Sequence, residues 1–444
     1  MKPYASYKAS GVEWLGEVPN HWEVKQARFL MTCNDDVLPE NTNSEQLLNY
    51  IEISDVDEVS GIKGFENIKF SDAPSRARRL VMDGDVIVST VRTYLRAVAA
   101  ISNPTPETVV STGFAVLRPR SIESRYAKYA ILYDGFISEV ISCSKGISYP
   151  AINATDLVRI YIPLPPPDEQ QAIADYLDAE TARIGNLIRE KEGLIGLLRE
   201  AQASAFASAI LRFATRTSGM KSSKVAWLQS LPVNWRIAKV KHLTLSVDQG
   251  ISPQCESHPP NEGEWGVLKV GCVNTGDFNP MESKALPHDI EPIESITLLQ
   301  GDVLISRANT KSLVGRAAMA DKDYPRLMLS DKHYRLRINQ AECLPQYLVF
   351  ILTHSAVRVH IEERATGASA SMLNIDRRTI MDLDVPLPPT DIQEEIVREV
   401  QADREALAHL ITHTQEEITL LKELRAATIA DAVLGRVDVR TYQK

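Results

Sequence analysis

The side chains best suited to chemistry lie in two turns, each of which follows a short β-rich run that begins with Gly-Asp-Val, at residues 84–86 and 301–303. Arginine can bind guanine through two hydrogen bonds, asparagine can bind adenine, and serine, threonine and lysine suit phosphate groups. The candidate nucleic-acid contacts in the two turns are Ser89, Arg92, Arg96, Ser306, Arg307, Asn309, Lys311 and Arg316. Ordinary polar turns after buried strands have a similar composition, so the prediction depends on the recurrence of the pattern in both halves of the chain.

A second pair of small polar loops, at residues 144–149 and 366–371, precedes another β-rich run. Exposed backbone N–H groups and hydroxyls in such loops can hold a phosphate group, which makes Lys145, Ser148 and Ser369 further candidates for DNA binding. Flexible turns that cap strands are the alternative interpretation.

Catalytic motifs are missing from the sequence. It has no Gly-rich phosphate loop, no GxGxxG, no HExxH and no GxSxG, and its nine histidines lack the spacing of metal ligands. Enzyme active sites need clustered groups with tuned pKa values. We therefore expect no catalytic residue, no metal site and no cofactor in this chain, which makes a self-contained nuclease or methyltransferase the least favoured class.

The elements that must position these turns occur twice. A Trp-Leu…Pro…Trp skeleton that begins at Trp14 returns at Trp227, 213 positions later, and a Pro-rich run that begins at Pro163 returns at Pro386, 223 positions later. The second copy gains its extra residues between these two landmarks. Since length variation belongs in surface loops, each copy is interpreted as a fixed scaffold that carries a variable face.

A long helix is predicted after each Pro-rich run, because apolar residues recur there in steps of 4, 7, 4, 7 and 3 residues. The apolar seams are Ile173, Leu177, Ile184, Ile188, Ile195 and Leu198 in the first helix, and Ile396, Val400, Leu407, Ile411, Ile418 and Leu421 in the second. Residues 168–211 would span roughly 65 Å at about 1.5 Å per residue, more than a small domain needs. Pairing of the two helices is favoured over two amphipathic helices that each lie on their own domain.

Alternating apolar residues before the Pro-rich runs, such as Val158, Ile160 and Ile162, predict half-buried strands between the repeated landmarks. We predict an α+β fold in which two similar strand-rich globular lobes are joined by two long paired helices with pseudo-two-fold symmetry. The predicted segments are a first lobe at 1–165, a central helix at 166–215, a second lobe at 216–388 and a C-terminal helix at 389–444.

The composition fits a folded chain of two or three domains, with 444 residues, 44% of them hydrophobic and 24% charged. No run approaches 18 uninterrupted apolar residues and no apolar signal core follows the first methionine, so we expect no membrane span and a cytoplasmic location. The net charge is −9, of which residues 168–215 hold −3 and residues 390–444 hold −4. The lobes are therefore close to neutral and can carry local basic faces.

Together these pieces resemble the specificity (S) subunit of Type I restriction–modification systems. The matching motifs are the run WLGEVPNHW at residues 14–22, the Gly-Asp-Val runs, and PLPPPDEQQ at residues 163–171. The second Pro-rich run departs at Ile392, where the first copy has Glu169, but keeps the aspartate that suits a helix N-terminus. The resemblance covers essentially the whole chain.

The resemblance implies a non-catalytic DNA-recognition subunit. Each lobe would be a target recognition domain that reads one half of a split, asymmetric sequence in double-stranded DNA. The two helices would pair antiparallel as a coiled coil, set the gap between the half-sites and dock two methyltransferase subunits, which are joined by restriction subunits. S-adenosylmethionine, ATP and Mg²⁺ would then bind those partners and not this chain.

Two other classes stay open from the residues alone. A free-standing DNA-binding protein would use the same lobes without a docked enzyme, and an interaction scaffold would use only the helices. Two lobes on one face of a duplex favour half-sites about one helical turn, roughly 34 Å, apart. Near-neutral lobes predict weak binding by the isolated chain, because affinity follows the number of phosphates neutralised.

Overall fold

The two longest elements of the fold are helices that each contribute to both of its compact units. The computed structural model describes residues 2–57, 61–146, 149–216, 219–225, 227–369 and 372–441. Its contacts divide the chain into a first unit, Met1–Gly193 with Thr414–Lys444, and a second unit, Leu194–His413. The four segments predicted from the sequence follow the repeat, whereas these units follow contacts, so the predicted boundaries stay a prediction.

The first half of the chain contains fourteen strands and four α-helices among its described residues. The strands are β1 Tyr7–Ala9, β2 Glu17–Pro19, β3 Glu23–Gln26, β4 Met31–Cys33, β5 Leu47–Ile51, β6 Val56–Asp57, β7 Gly61–Ile62, β8 Glu66–Lys69, β9 Ala77–Leu80, β10 Val86–Ser89, β11 Val98–Ala100, β12 Thr108–Ser111, β13 Phe114–Pro119 and β14 Tyr161–Leu164. The helices are α1 Ser124–Leu132, α2 Asp134–Ser142, α3 Ala154–Leu157 and α4 Pro167–Thr215.

The described part of the second half repeats this sequence of elements. The strands are β15 Met220–Ser222, β16 Ser230–Pro232, β17 Arg236–Lys239, β18 Thr244–Gln249, β19 Gly266–Leu268, β20 Ser283–Ala285, β21 Thr297–Leu298, β22 Val303–Ser306, β23 Ala308–Asn309, β24 Ala317–Met319, β25 Tyr324–Met328, β26 His333–Ile338, β27 Thr366–Ser369, β28 Met372–Asn374 and β29 Asp384–Leu387. The helices are α5 Val240–Leu243, α6 Pro345–Thr353, α7 Ser355–Arg364, α8 Arg377–Met381 and α9 Thr390–Val433.

Both lobes are built on the same pair of four-stranded sheets. The first lobe has the orders β11-β10-β13-β4 and β8-β5-β12-β9, and the second has β24-β22-β26-β18 and β20-β19-β25-β21. In each lobe the second sheet contains one parallel pair, β5 with β12 and β19 with β25. The shared order shows that the repeat read in the sequence is a repeat of the fold.

The central strand of each lobe is buried on both faces, because successive side chains of a strand point in opposite directions. Val86 and Val88 of β10 pack in a core with α1 and α2, whereas Ile87 packs in a second core with residues of the other sheet. Val303 and Leu304 of β22 divide between two cores in the same way. The apolar run after each Gly-Asp pair is therefore the centre of its lobe.

The aspartate of each Gly-Asp-Val run is buried against an arginine. Asp85 accepts hydrogen bonds from Nε and Nη2 of Arg118, at 2.8 Å each. Asp302 accepts one from Nε of Arg337 at 3.2 Å, and Nη1 of Arg335 lies 3.8 Å from it. Each aspartate also accepts a hydrogen bond from the backbone N–H three residues before it, which fixes the turn into the strand.

The two long helices pair antiparallel. In the first unit, Nζ of Lys191 on α4 lies 2.6 Å from a carboxylate oxygen of Glu417 on α9. In the second unit, Gln202 donates to the carbonyl of Arg404, and Arg212, further along α4, pairs with Glu399, earlier on α9. The predicted seam residues are all buried or half-buried. The predicted α+β fold with paired helices is confirmed.

A buried glutamine joins each long helix to its lobe. Nε2 of Gln170 donates to the carbonyl of Pro165 at 2.8 Å, and its Oε1 accepts from the backbone of Glu123 at 2.8 Å. Gln393 makes the matching bonds with Pro388 and Leu344, both at 2.9 Å. The Asp-x-Gln part of each Pro-rich motif therefore fixes where the helix leaves the lobe.

Helix α4 is long and apolar enough to cross a membrane by length and composition, although the sequence has no long uninterrupted apolar run. Its apolar residues in the second unit include Phe206, Ile210 and Phe213, whose side chains are buried in the core of that unit. These buried side chains account for part of the apolar composition, since 28% of the most apolar stretch is buried.

Candidate nucleic-acid interface

Two polar loops that are about 50 residues apart in sequence lie side by side in the first unit. Val91 and Lys145 each form a β-bridge with Ala151. The backbone N–H of Arg92 donates to the carbonyl of Pro150 at 2.8 Å. The turn after β10 and the loop before α3, both singled out from the sequence, therefore form one surface.

This surface presents an arginine on an aromatic ring. The guanidinium carbon of Arg92 lies 5.0 Å from the ring centre of Tyr149, whose side chain is 67% exposed. Arg92 has a φ of 50°, and Tyr94, two residues later, is also exposed. Lys145 is exposed as well. Cationic groups and exposed aromatic rings together suit phosphates and base faces.

Two of the predicted contacts in this turn hold the turn together. Ser89 is buried, and its Oγ donates to the carbonyl of Val91 at 2.6 Å. Arg96 is half-buried and forms an ion pair with Asp134 at the start of α2. Any contact of these two residues with DNA stays a prediction.

The second unit joins the corresponding loops through a small sheet. The strand β23, which follows the turn at Arg307, pairs with β28, and β28 pairs with β27. The backbone N–H of Ile375 also donates to the carbonyl of Arg307 at 3.0 Å. The same two loop positions are therefore brought together in both lobes, by bridges in one and by a three-stranded sheet in the other.

The predicted contacts in the second turn differ in exposure. Ser306 and Asn309 are buried, and Nδ2 of Asn309 donates to Oδ1 of Asn274 at 3.2 Å. Arg307 and Arg316 are half-buried, and each donates to a backbone carbonyl. Lys311 is exposed. Among these predicted contacts, Lys311 is thus the side chain that is most accessible to a ligand.

Two predicted residues have no side-chain description. Ser148 lies outside the described residues. Ser369 ends strand β27, and only its backbone is described. Their predicted phosphate contacts stay predictions.

A basic cleft of about 510 Å³ borders the second surface. Lys269, Lys284 and Lys332 line it together with one acidic residue, Glu282, next to Ala308 of β23 and Met372 of β28. These lysines come from separate segments of the chain, so no local motif could have identified them. Three ammonium groups beside the predicted recognition turn provide cationic contacts for a phosphate backbone.

The described residues contain no group of three or more His, Cys, Asp or Glu side chains that could hold a metal ion. They do contain one pair with the geometry of a nucleophile and a base. Sγ of Cys272 lies 3.4 Å from Nε2 of His333, and both side chains are buried. Burial lowers the pKa of His333 to about 4 and raises the pKa of Cys272 far above its usual range. Both groups are therefore neutral at pH 7, which makes this a packing contact.

Comparison with known families agrees with this geometry. Residues 43–192 match the family model described as "Type I restriction modification DNA specificity domain". The matched residues run from the first lobe into helix α4. The predicted family and the predicted place among non-catalytic subunits agree with this match.

Curated relatives match this chain over different lengths. It is 30% identical to the EcoEI specificity subunit of Escherichia coli over 172 residues, which are 38% of this chain and 29% of that protein. It is 22% identical to the MjaIX specificity subunit of Methanocaldococcus jannaschii over 96% of this chain and 95% of that one. The first match is local, whereas the second spans both repeats.

Solved structures share the fold of this chain. A chain from a study of "complex assembly and conformational transition of the type I R-M system" is similar with a TM-score of 0.68 and 22% identity, over 95% of this chain and 99% of that one. The HsdS subunit from Thermoanaerobacter tengcongensis is similar with a TM-score of 0.53 and 22% identity, over 95% and 98% of the two chains.

Proposed function

We propose that this chain reads a split, asymmetric sequence in double-stranded DNA, with one half-site for each lobe, and positions methyltransferase and restriction subunits on it. The observation that carries the proposal is the repeated surface made by two joined polar loops. The two copies have the same place in the fold but different side chains, so two lobes of this kind suit two different half-sites.

Exposed leucines on the long helices support docking of partner subunits. Leu194 and Leu197 of α4 are exposed in the second unit, and Leu420 and Leu424 of α9 are exposed in the first. Exposed apolar side chains on paired helices mark protein interaction surfaces more often than DNA-binding ones. They favour a subunit with two methyltransferase partners over a free-standing DNA-binding protein.

The charge of the lobes also favours an assembly. With a net charge of −9, of which −7 belongs to residues 168–215 and 390–444, the lobes provide only local cationic patches. Partner subunits would complete the positive surface around the duplex. We further propose that S-adenosylmethionine, ATP and Mg²⁺ bind to those partners, and that the assembly works in the cytoplasm.

The test is methylation mapping of an assembled system. The chain is produced with methyltransferase subunits of a type I system, and methylated adenines are mapped in the host DNA. Two defined half-sites separated by a fixed run of unspecified bases are expected. Replacing the first lobe by that of another specificity subunit should change one half-site and leave the other.

The alternatives give different results. If a complex forms through the helices but methylation follows no split motif, the chain is a scaffold. If the isolated chain binds DNA tightly with a steep dependence on salt and forms no complex, it is a free-standing DNA-binding protein. Either result would overturn the proposal.

A further inference from the structure

Four arginines surround a second cleft within the second unit, and one of them, Arg316, also belongs to the second recognition turn. The cleft has a volume of about 500 Å³ and is lined by residues of α4, α6, α7 and α9 and of two loops. The lining residues that matter for its chemistry are Arg199, Arg316, Arg358, Arg404, Glu362 and His354.

Arg358 is buried with an incomplete set of hydrogen bonds. Only 5% of the residue is exposed. Its Nη2 donates to the carbonyl of Ser312 at 3.3 Å and to Oε1 of Glu362 at 3.1 Å. No described residue accepts a hydrogen bond from its Nε or Nη1. Buried guanidinium groups are normally saturated, so this arrangement calls for additional negative charge nearby.

The first lobe shows what the fold itself requires at this position. Helix α2 buries Phe136, Ile137 and Val140, and helix α7 buries residues at the same spacing, with Arg358 where α2 has Ile137. The scaffold therefore needs only an apolar side chain here. A charged residue at an apolar position of the repeat indicates a role other than packing.

A second apolar position of the first lobe is also occupied by an arginine in the second lobe. Strand pairing aligns Val88 with Val98 in the first lobe and Ile305 with Ala317 in the second. The residue before Val98 is Ala97, which is buried, whereas the residue before Ala317 is Arg316. Repulsion between Arg316 and Arg358 adds to the effect of burial in lowering the pKa of Arg358. Two apolar positions of the first lobe are thus two neighbouring cations in the second.

Positive charge exceeds negative charge in the cleft. Arg404 pairs with Asp277 at 3.3 Å and Arg358 pairs with Glu362. Those two carboxylates leave Arg199 and Arg316 without a carboxylate partner among the described contacts of the cleft. Burial lowers the pKa of His354, so the imidazole is neutral and adds no charge at pH 7.

We propose that this cleft binds a phosphate group. Guanidinium groups form bidentate, charge-assisted hydrogen bonds with phosphate oxygens, and a phosphate carries enough charge to offset the excess in the cleft. The volume exceeds that of one phosphate and leaves room for the group to which it is attached. Backbone phosphates of DNA and free phosphorylated compounds share this chemistry. The proposal does not depend on the recognition of DNA by the lobes.

The experiment measures binding of inorganic phosphate to the full chain by isothermal titration calorimetry and by thermal unfolding, with chloride at equal ionic strength as the reference. Three variants are compared with the wild-type chain: Arg358→Met, Arg199→Met, which changes an exposed side chain, and Arg377→Met, an exposed arginine outside the cleft. We expect Arg358→Met and Arg199→Met to weaken phosphate binding about tenfold or more, and Arg377→Met to leave it unchanged.

The stability of the variants separates a ligand site from a structural arginine. Without phosphate, Arg358→Met should unfold at the same or a higher temperature than the wild-type chain, because it removes a buried cation with unmet hydrogen bonds. Loss of stability in Arg358→Met, together with unchanged phosphate binding in Arg199→Met, would overturn the proposal. Absence of phosphate binding to the wild-type chain would also overturn it.

The source of the phosphate is then identified by competition. Bound phosphate is followed by ³¹P NMR while duplex DNA is added to the wild-type chain. Displacement by the duplex would support the site and assign it to backbone phosphates. Retention would support the site and assign it to a free phosphorylated compound.

Discussion

The two lobes share one framework and differ where they are most exposed. Both hold a buried aspartate at the start of a central strand, and both join the same two loops. In the first lobe the guanidinium group of Arg92 lies over the ring of Tyr149 at the surface. In the second, Asn309 at the same stage of the fold is buried in a small sheet. The comparison shows that a fixed pair of sheets can present unlike surfaces, as the proposed reading of two unlike half-sites requires.

The largest expected effect tests the shared framework. Arg118→Met leaves Asp85 buried without its arginine, which we expect to lower the free energy of unfolding by about 3–5 kcal/mol. Arg337→Met should cost less, because Arg337 is more exposed and Arg335 remains near Asp302. Denaturant unfolding, with hydrogen exchange of β10 and β22 amides, measures both. Equal losses would show that the two aspartates are held alike.

The next effect is a loss of stability in acid, which we expect to arise in the second lobe. His333 pairs in β26 opposite Ser306, where the first lobe has Phe114 opposite Ser89. Burial lowers the pKa of His333 to about 4, below the value of about 6.5 in an unfolded chain. Protonation therefore favours unfolding, and the stability is lost as the pH falls below about 6.5. Between pH 7 and pH 5 the loss should be about 2 kcal/mol.

The matched variant for the acid effect is His333→Phe, which installs the side chain of the first lobe. Carboxylates titrate in both proteins, so the difference between wild type and variant isolates the histidine. Urea unfolding at pH 7 and pH 5 gives that difference. If His333→Phe is as sensitive to acid as the wild type, the buried histidine does not control the sensitivity.

A smaller effect concerns recognition. Arg92→Ala should weaken binding of the assembled complex to its DNA by about tenfold, since one arginine contact contributes about 1–3 kcal/mol. Lys311→Ala should act through the other half-site. Arg159→Ala, an exposed arginine in the first half of the chain, is the control. Binding to targets altered in one half-site tells the two effects apart, and identical profiles would contradict a division of labour between the lobes.

The smallest expected difference between the two copies concerns the joints between lobes and helices. Gln170→Ala and Gln393→Ala each remove hydrogen bonds to buried backbone groups, and each should cost about 1–3 kcal/mol. Because two hydrogen bonds match, the two losses should be similar, with a slightly larger one for Gln393, which also donates to the carbonyl of Glu342 at 3.0 Å. Thermal unfolding of both variants measures them, and a large difference would show that the joints are not equivalent.

The sequence predicts the parts of this molecule that depend on periodicity. The seam from Ile173 to Leu198 and its copy in α9 follow from regular spacing, and the repeated landmarks predict two similar lobes. Exposure within a turn was not predictable in this way: Ser89 and Asn309 are polar residues in polar turns, yet tertiary packing buries both. Polar composition indicates a turn but does not specify which side chains its backbone turns inward.

Groups assembled from distant segments were also beyond sequence reasoning. Lys269, Lys284 and Lys332 meet in one cleft only because β19, β20 and the turn before β26 are neighbours in the fold. Tyr149 shows a weaker version of the same limit. Its position next to a candidate loop was visible in the sequence, but its contact with Arg92 depends on the bridge that joins two loops.

The first unit is built from segments near both ends of the chain, which affects how the chain folds during synthesis. Its lobe is complete by about residue 165, yet Glu169 pairs with Arg440, and the backbone N–H of Asp438 donates to the carbonyl of Lys2 at 2.9 Å. Contacts across more than 270 residues form slowly, because a long loop must close first. The ribosome must therefore deliver the whole second unit before the first can be finished. Until then the part of the α4 seam that pairs with α9 lacks its partner helix, which makes the nascent chain a client for chaperones or for a waiting partner subunit.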